Sequence, residues 1–126
     1  MKTKNKNPIR RDVERYIQCY YDIVHLKDAI DRYGIRGSFG IQSSIACDKL
    51  VNLLILKDRK ILEFKRLDLQ LHIFGDKFFK EIIDIYGKHY TIKRFCDINE
   101  TGAETFYKTL QKNIEKYGAY YGNSKV

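Results

Sequence analysis

Tryptophan does not occur in this chain, and proline occurs once, at position 8. Proline inside a helix removes a backbone donor and clashes with the preceding turn. Every stretch after residue 8 is therefore free to be helical. Long apolar runs are missing too: LVNLLIL, at 50–56, runs straight into the charged KDRK. That is far short of the roughly 20 apolar residues that span a bilayer, so no membrane partner is expected. The basic start MKTKNKNPIRR has no apolar segment behind it, so it does not read as a secretory signal, and a cytoplasmic location is expected.

Other scarcities exclude chemistry. Cys19, Cys47 and Cys96 are odd in number and far apart, which fits reduced thiols and not a disulfide framework. His25, His72 and His89 are the only histidines; none stands at ligand spacing from a cysteine, so neither a metal site nor a cofactor is expected. The acids Asp28, Asp31, Asp48, Asp58, Asp68 and Asp84 are spread beside lysines and arginines. No histidine has a serine or cysteine at a recognisable nucleophile spacing, and an enzyme is not expected.

What the chain does have is positive charge and helical periodicity. Its 126 residues carry a net charge of +8 and are 44% hydrophobic, enough for one domain, or for one small domain with an appended helical arm. A basic surface attracts polyanions, in a manner that salt weakens. The ten tyrosines invite a base-stacking reading, but Tyr16, Tyr20, Tyr86 and Tyr117 fall on apolar seams, where packing accounts for them.

Along the chain, residues 1–6 read as a basic flexible arm. Asn7-Pro8 is a helix start, with asparagine as cap and proline in the first turn. Val13, Tyr16, Ile17, Tyr20, Ile23, Val24 and Ile30 then recur at steps of three and four, giving one long helix with an apolar seam, ended by Tyr33-Gly34. GIRGSFGIQSS, at 34–44, reads as a connector, with Ser43 or Ser44 capping a second long helix. That helix carries Leu50, Leu53, Leu54, Ile61, Phe64, Leu67, Leu71 and Phe74 inward and continues through KDRK until Gly75. The pair at 7–74 predicts a hairpin or coiled-coil arm, within one chain or as a homodimer through the long helices.

Three shorter helices are expected in 75–126. DKFFKEIIDIYG, at 76–87, has an acidic start and a core face of Phe78, Phe79, Ile82, Ile83 and Tyr86. TIKRFCDI, at 91–98, turns Ile92, Phe95 and Cys96 inward. ETFYKTLQKNIEKYG, at 104–118, buries Phe106, Leu110, Ile114 and Tyr117. The fold class is thus all-α: two long helices followed by a trihelical helix-turn-helix. Such a unit puts the first turn of its last helix into the major groove of double-stranded DNA. Thr101, Gly102 and Ala103 keep that turn slim. Glu104 could accept from a cytosine amino group, and Thr105 could reach a base edge or thymine methyl. Lys93, Arg94, Lys108 and Lys112 suit phosphates, and Tyr107 suits sugar or phosphate.

KILEFK, at 60–65, with the trihelical stretch through ETFYKTLQKNIEKYG, resembles the C-terminal half of phage late-gene transcriptional activators of the RinA and ArpU type. The resemblance covers roughly residues 45–122. It implies a helix-turn-helix similar to sigma region 4, working with bacterial RNA polymerase in the host cytoplasm. By position, Thr105, Phe106 and Tyr107 match the start of the family's recognition helix, Lys108 and Lys112 its basic positions, and Phe95 and Cys96 its apolar pair. The chain departs from the pattern at Gly102, where serine or threonine is usual, and at Thr101, where an apolar residue is. It departs again at Glu100, near which the tight turn normally holds glycine; Asn99 can turn left-handed but sits one residue away. Sequence-specific transcription activation is the leading expectation. A phage- or island-encoded inhibitor that grips a protein, and a small terminase-like DNA-packaging subunit, are the alternatives. A two-fold dimer would read half-sites ~34 Å apart.

Overall fold

The computed structural model describes residues 7–38 and 44–122 of the chain. They form α1 (Pro8–Ser38), α2 (Ser44–Leu71), α3 (Asp76–Ile82), a π-helical turn (Ile83–Gly87), α4 (Ile92–Ile98), α5 (Ala103–Tyr117) and a second π-helical turn (Gly118–Gly122). The protein is all-helical, with no strand among the described residues. The expected arm at 1–6, the possible cap at Ser43 and residues 39–43 of the expected connector lie outside them.

Local chemistry sets the helix starts. The Asn7 side chain accepts from the Arg10 backbone N–H at 3.0 Å, which caps α1, and Pro8 follows in the first turn. The helix does not end at Tyr33-Gly34 but runs through Gly34 to Ser38. A glycine costs a helix interior only about 1 kcal/mol, too little to stop a long one by itself. Helix α2 runs unbroken through KDRK. Past its end, Gly75 at φ 99° makes the turn into α3, a backbone conformation strained for any side chain.

The described chain divides into two compact units, one of residues 16–68 and one joining residues 1–15 to 69–126. In the first, α1 and α2 run antiparallel. Tyr16 stacks on Phe64 with ring centroids 4.5 Å apart and donates its hydroxyl to Asp68 at 2.8 Å. Further along α1, Asp22 meets Lys60 at 3.1 Å. The seam passes through Tyr16, Cys19, Ile23, Leu26 and Ile30 on α1 and Leu50, Leu53, Lys57, Lys60, Phe64 and Leu67 on α2. Alternating steps of three and four keep such a seam facing its partner. Tyr20, Val24 and Leu54, expected inward, lie a step off it and are exposed.

In the second unit, the first two turns of α1 join the shorter helices. Ile9 and Val13 belong to one buried set with Leu71, Phe78, Ile82, Ile85, Phe95, Cys96, Phe106, Leu110 and Tyr117. Among them Asp12 is only 3% exposed. Its carboxylate accepts from the Tyr117 hydroxyl at 2.6 Å and from Arg11 Nε at 3.0 Å. The Gln70 side-chain oxygen lies 3.2 Å from the same hydroxyl. Nearby, the Asn7 side-chain amide donates to the Tyr86 hydroxyl at 2.9 Å. The 76–87 segment is not one α-helix: its last turn widens into the π form, and Ile85 takes the buried place expected of Ile83. Phe79 stacks on His72 instead, at 3.8 Å.

A buried hydrogen bond to a charged group contributes about 1.5–3 kcal/mol. Tyr117→Phe, which keeps the ring and removes the donor, is expected to lower stability by that amount in urea titration, without loss of helix by circular dichroism. Burial raises the phenols of Tyr16, Tyr86 and Tyr117 above the ordinary value, with Asp68 and Asp12 adding to the effect at Tyr16 and Tyr117. A raised folded value leaves stability intact below pH ~10 and drains it as pH rises further, because only the unfolded phenols ionise readily. Absorbance titration at 295 nm should show these three tyrosines ionising together with alkaline unfolding, after the exposed ones.

Candidate nucleic-acid interface

Helix α4 is set by Thr91, whose hydroxyl accepts from the Arg94 backbone N–H at 3.1 Å. It buries Phe95 and Cys96, and Phe95 meets Phe106 of α5 with ring centroids 5.1 Å apart. Burial pushes the Cys96 thiol up, with Asp97 adding to it, so this cysteine is an inert packing residue and not a nucleophile.

The chain leaves α4 through a tight left-handed turn. The Thr101 N–H bonds back to the Cys96 carbonyl at 2.9 Å and the Glu100 N–H to the Asp97 carbonyl at 3.4 Å. These two bonds make a Schellman ending, which needs a residue at positive φ between them. That residue is Glu100, at φ 52°, and Asn99 stays at φ −98°. Asn99 contributes differently, donating its side-chain amide to the Phe95 carbonyl at 2.9 Å. Thr101 and Gly102 then lead into α5, and Gly102 caps it with an extended backbone and no side-chain bond.

Every residue expected at the interface is exposed: Lys93 and Arg94 on α4, Thr101 and Gly102 in the connection, and Glu104, Thr105, Tyr107, Lys108 and Lys112 on α5. They do not form one set. Thr105, Lys108 and Lys112 share a helix face at steps of three and four, whereas Tyr107, two residues from Thr105, falls on the other flank. Glu104 and Lys108 pair with each other at 3.5 Å, both well exposed. Such a pair is weak and readily exchanged. Arg94 turns over the Tyr90 ring, 5.3 Å from its centre. A side chain built at Gly102 would meet nothing closer than the Thr105 hydroxyl at 4.0 Å. The slimness of that turn is thus not required by the protein's own packing.

Sequence reasoning missed a half-open cavity of about 270 Å³ beside α4, lined by Arg10, Tyr86, His89, Tyr90 and Thr91. His89 there has φ 61° and stands one residue beyond the π-helical turn, after Lys88. The segment HYT, at 89–91, was visible in the sequence, but only the fold brings Arg10 to it. Among the described residues no group of three His, Cys, Asp or Glu is placed to hold a metal ion, and no helix is long and apolar enough to cross a membrane. Comparison with protein-family models, curated proteins and solved structures finds no match to this chain.

A left-handed conformation costs a non-glycine residue roughly 1–2 kcal/mol, offset partly by the freedom glycine loses on folding. Glu100→Gly is therefore expected to stabilise the fold by about 0.5–1 kcal/mol. Paired thermal melts of the two proteins would show it as a rise of a few degrees.

Proposed function

We propose that α4, the turn at Asn99–Gly102 and α5 act as a helix-turn-helix that binds double-stranded DNA, with α5 as the recognition helix. The observation that carries this reading is the exposed stripe Thr105–Lys108–Lys112, entered through a slim turn that the protein's interior does not need slim. The positive end of a helix favours anions at its first turn. Thr105 is positioned to read a base edge, while Lys108 and Lys112 hold phosphates and fix register. Glu104 releases Lys108 on binding, since their exposed pair is worth little in water. Lys93 and Arg94 extend the basic surface along α4, and Tyr107 serves the flank of the groove.

The biological role we infer is that of a transcriptional regulator, in the manner of the RinA and ArpU activators of phage late genes. It would bind a promoter and support RNA polymerase there. The resemblance of 45–122 to those proteins and the net charge of +8 support this reading.

Fluorescence anisotropy with labelled promoter-region duplex at two salt concentrations tests the proposal. The affinity is expected to fall steeply with salt. Each lysine removed from a phosphate should lower the slope of log K against log salt by about 1. Lys108→Gln with Lys112→Gln should thus flatten it by about 2 and weaken all sequences alike. Thr105→Ala should instead narrow the gap between the preferred duplex and a scrambled one. Binding that ignores salt, or whose affinity and salt slope the double lysine change leaves unaltered, would refute the assignment.

A further inference from the structure

The hairpin unit, residues 16–68, distributes its side chains as a two-helix hairpin folding alone would not. The middle of its internal seam is polar: Lys60 and Asp22 face each other there at 3.1 Å, and Lys57 is half-buried beside them. Its outer surface carries large apolar side chains among the charged ones. Tyr20, Tyr21 and Val24 on α1, with Val51, Leu54, Ile55 and Leu62 on α2, are each between 42% and 68% exposed. Among the described residues of this unit, only Cys19 and Leu67 are buried apolar side chains. A helix pair with so little interior needs another layer to cover its apolar face.

We propose that a second copy of this chain supplies that layer, hairpin against hairpin about a two-fold axis, to form a four-helix bundle. The area fits. At these exposures the seven side chains offer on the order of 700–800 Å², about what each partner contributes to a stable interface.

The charges fit as well. Residues 16–68 hold nine Lys and Arg against seven Asp and Glu, so two copies do not repel each other as the strongly basic remainder would. Asp58 and Lys65 flank Leu62 on one face of α2, at steps of four and three. Both are exposed, and neither pairs with another charge among the described residues. A two-fold axis makes every contact twice, residue i on j and j on i. With two α2 helices antiparallel and crossing at Leu62, Asp58 of each copy meets Lys65 of the other. The face is complementary to itself, which a surface made for an unrelated protein has no reason to be. Neither this interface nor its test involves DNA, so the proposal stands or falls apart from the proposed function.

Sedimentation velocity on the full chain tests it. The protein is expected to sediment at twice its 15.0 kDa chain mass, and Leu62→Glu, at an exposed position, should shift it to monomer with helix content unchanged. Asp58→Lys should weaken the dimer about tenfold, and the double exchange Asp58→Lys with Lys65→Asp should restore it, as coupled pairs do. A 15.0 kDa species at every concentration up to about 100 μM (well above the dissociation constants of stable interfaces) would overturn the proposal. So would a larger ring, a dimer indifferent to Leu62→Glu, or a double exchange that fails to restore what Asp58→Lys weakens.

Discussion

The buried bond between Tyr117 and Asp12 is the constraint on which the C-terminal unit depends. A carboxyl group only 3% exposed is tolerable only if its oxygens are occupied. One accepts from the phenol and the other from Arg11. Meeting that requirement holds the last turn of α5 against the first turns of α1. The same placement brings Pro8 to where a side chain at Gly118 would meet it, 3.5 Å from an added Cβ, and gives the Tyr86 hydroxyl its donor in Asn7. Helix α5 is therefore anchored at its far end, and its near end is left to face solvent.

That asymmetry matters for the site. The start of α5 is held by the Phe95–Phe106 contact and by the Schellman turn, and beyond these points its first turn touches little. A recognition element gains from this combination of rigid seat and open edge. Charge follows the same division. The hairpin unit is close to balanced, and most of the positive charge lies in the rest of the chain. The positive charge and the exposed apolar side chains on which the two proposals rest thus lie in different stretches of sequence.

Much of this was legible from the residues. Asn7-Pro8 announced the start of α1 through cap chemistry, Gly75 marked the turn before α3 although α2 already ends at Leu71 and not at Gly75, and the spacing of Phe95, Phe106, Leu110 and Tyr117 gave the inner faces of α4 and α5. Periodicity, however, reads one helix at a time. It could not show that residues 8–15 pack with α5, because nothing local in Asp12 names a partner 105 residues away. An acid beside Ile9 and Val13 on an apolar stripe was the available signal. Tyr20 and Val24 were misplaced for a related reason: steps of three and four fit two neighbouring stripes, and only the partner helix selects one. At the site, exposure followed from the pattern, and the Glu104–Lys108 pair was implicit in their spacing. The left-handed Glu100 was not, since glutamate has no preference for that conformation, and the surrounding hydrogen bonds impose it.

The Tyr117–Asp12 bond also sets an order of events at the ribosome. Residues 16–68 leave the exit tunnel together and can pair as a hairpin while synthesis continues. The other unit must wait, because its opening turns have no interior to join until the final helix has emerged. For that interval Ile9 and Val13 stay uncovered on a nascent chain. Closure of the basic unit therefore waits on a residue 105 positions further along the chain, and is completed by the arrival of a single phenol.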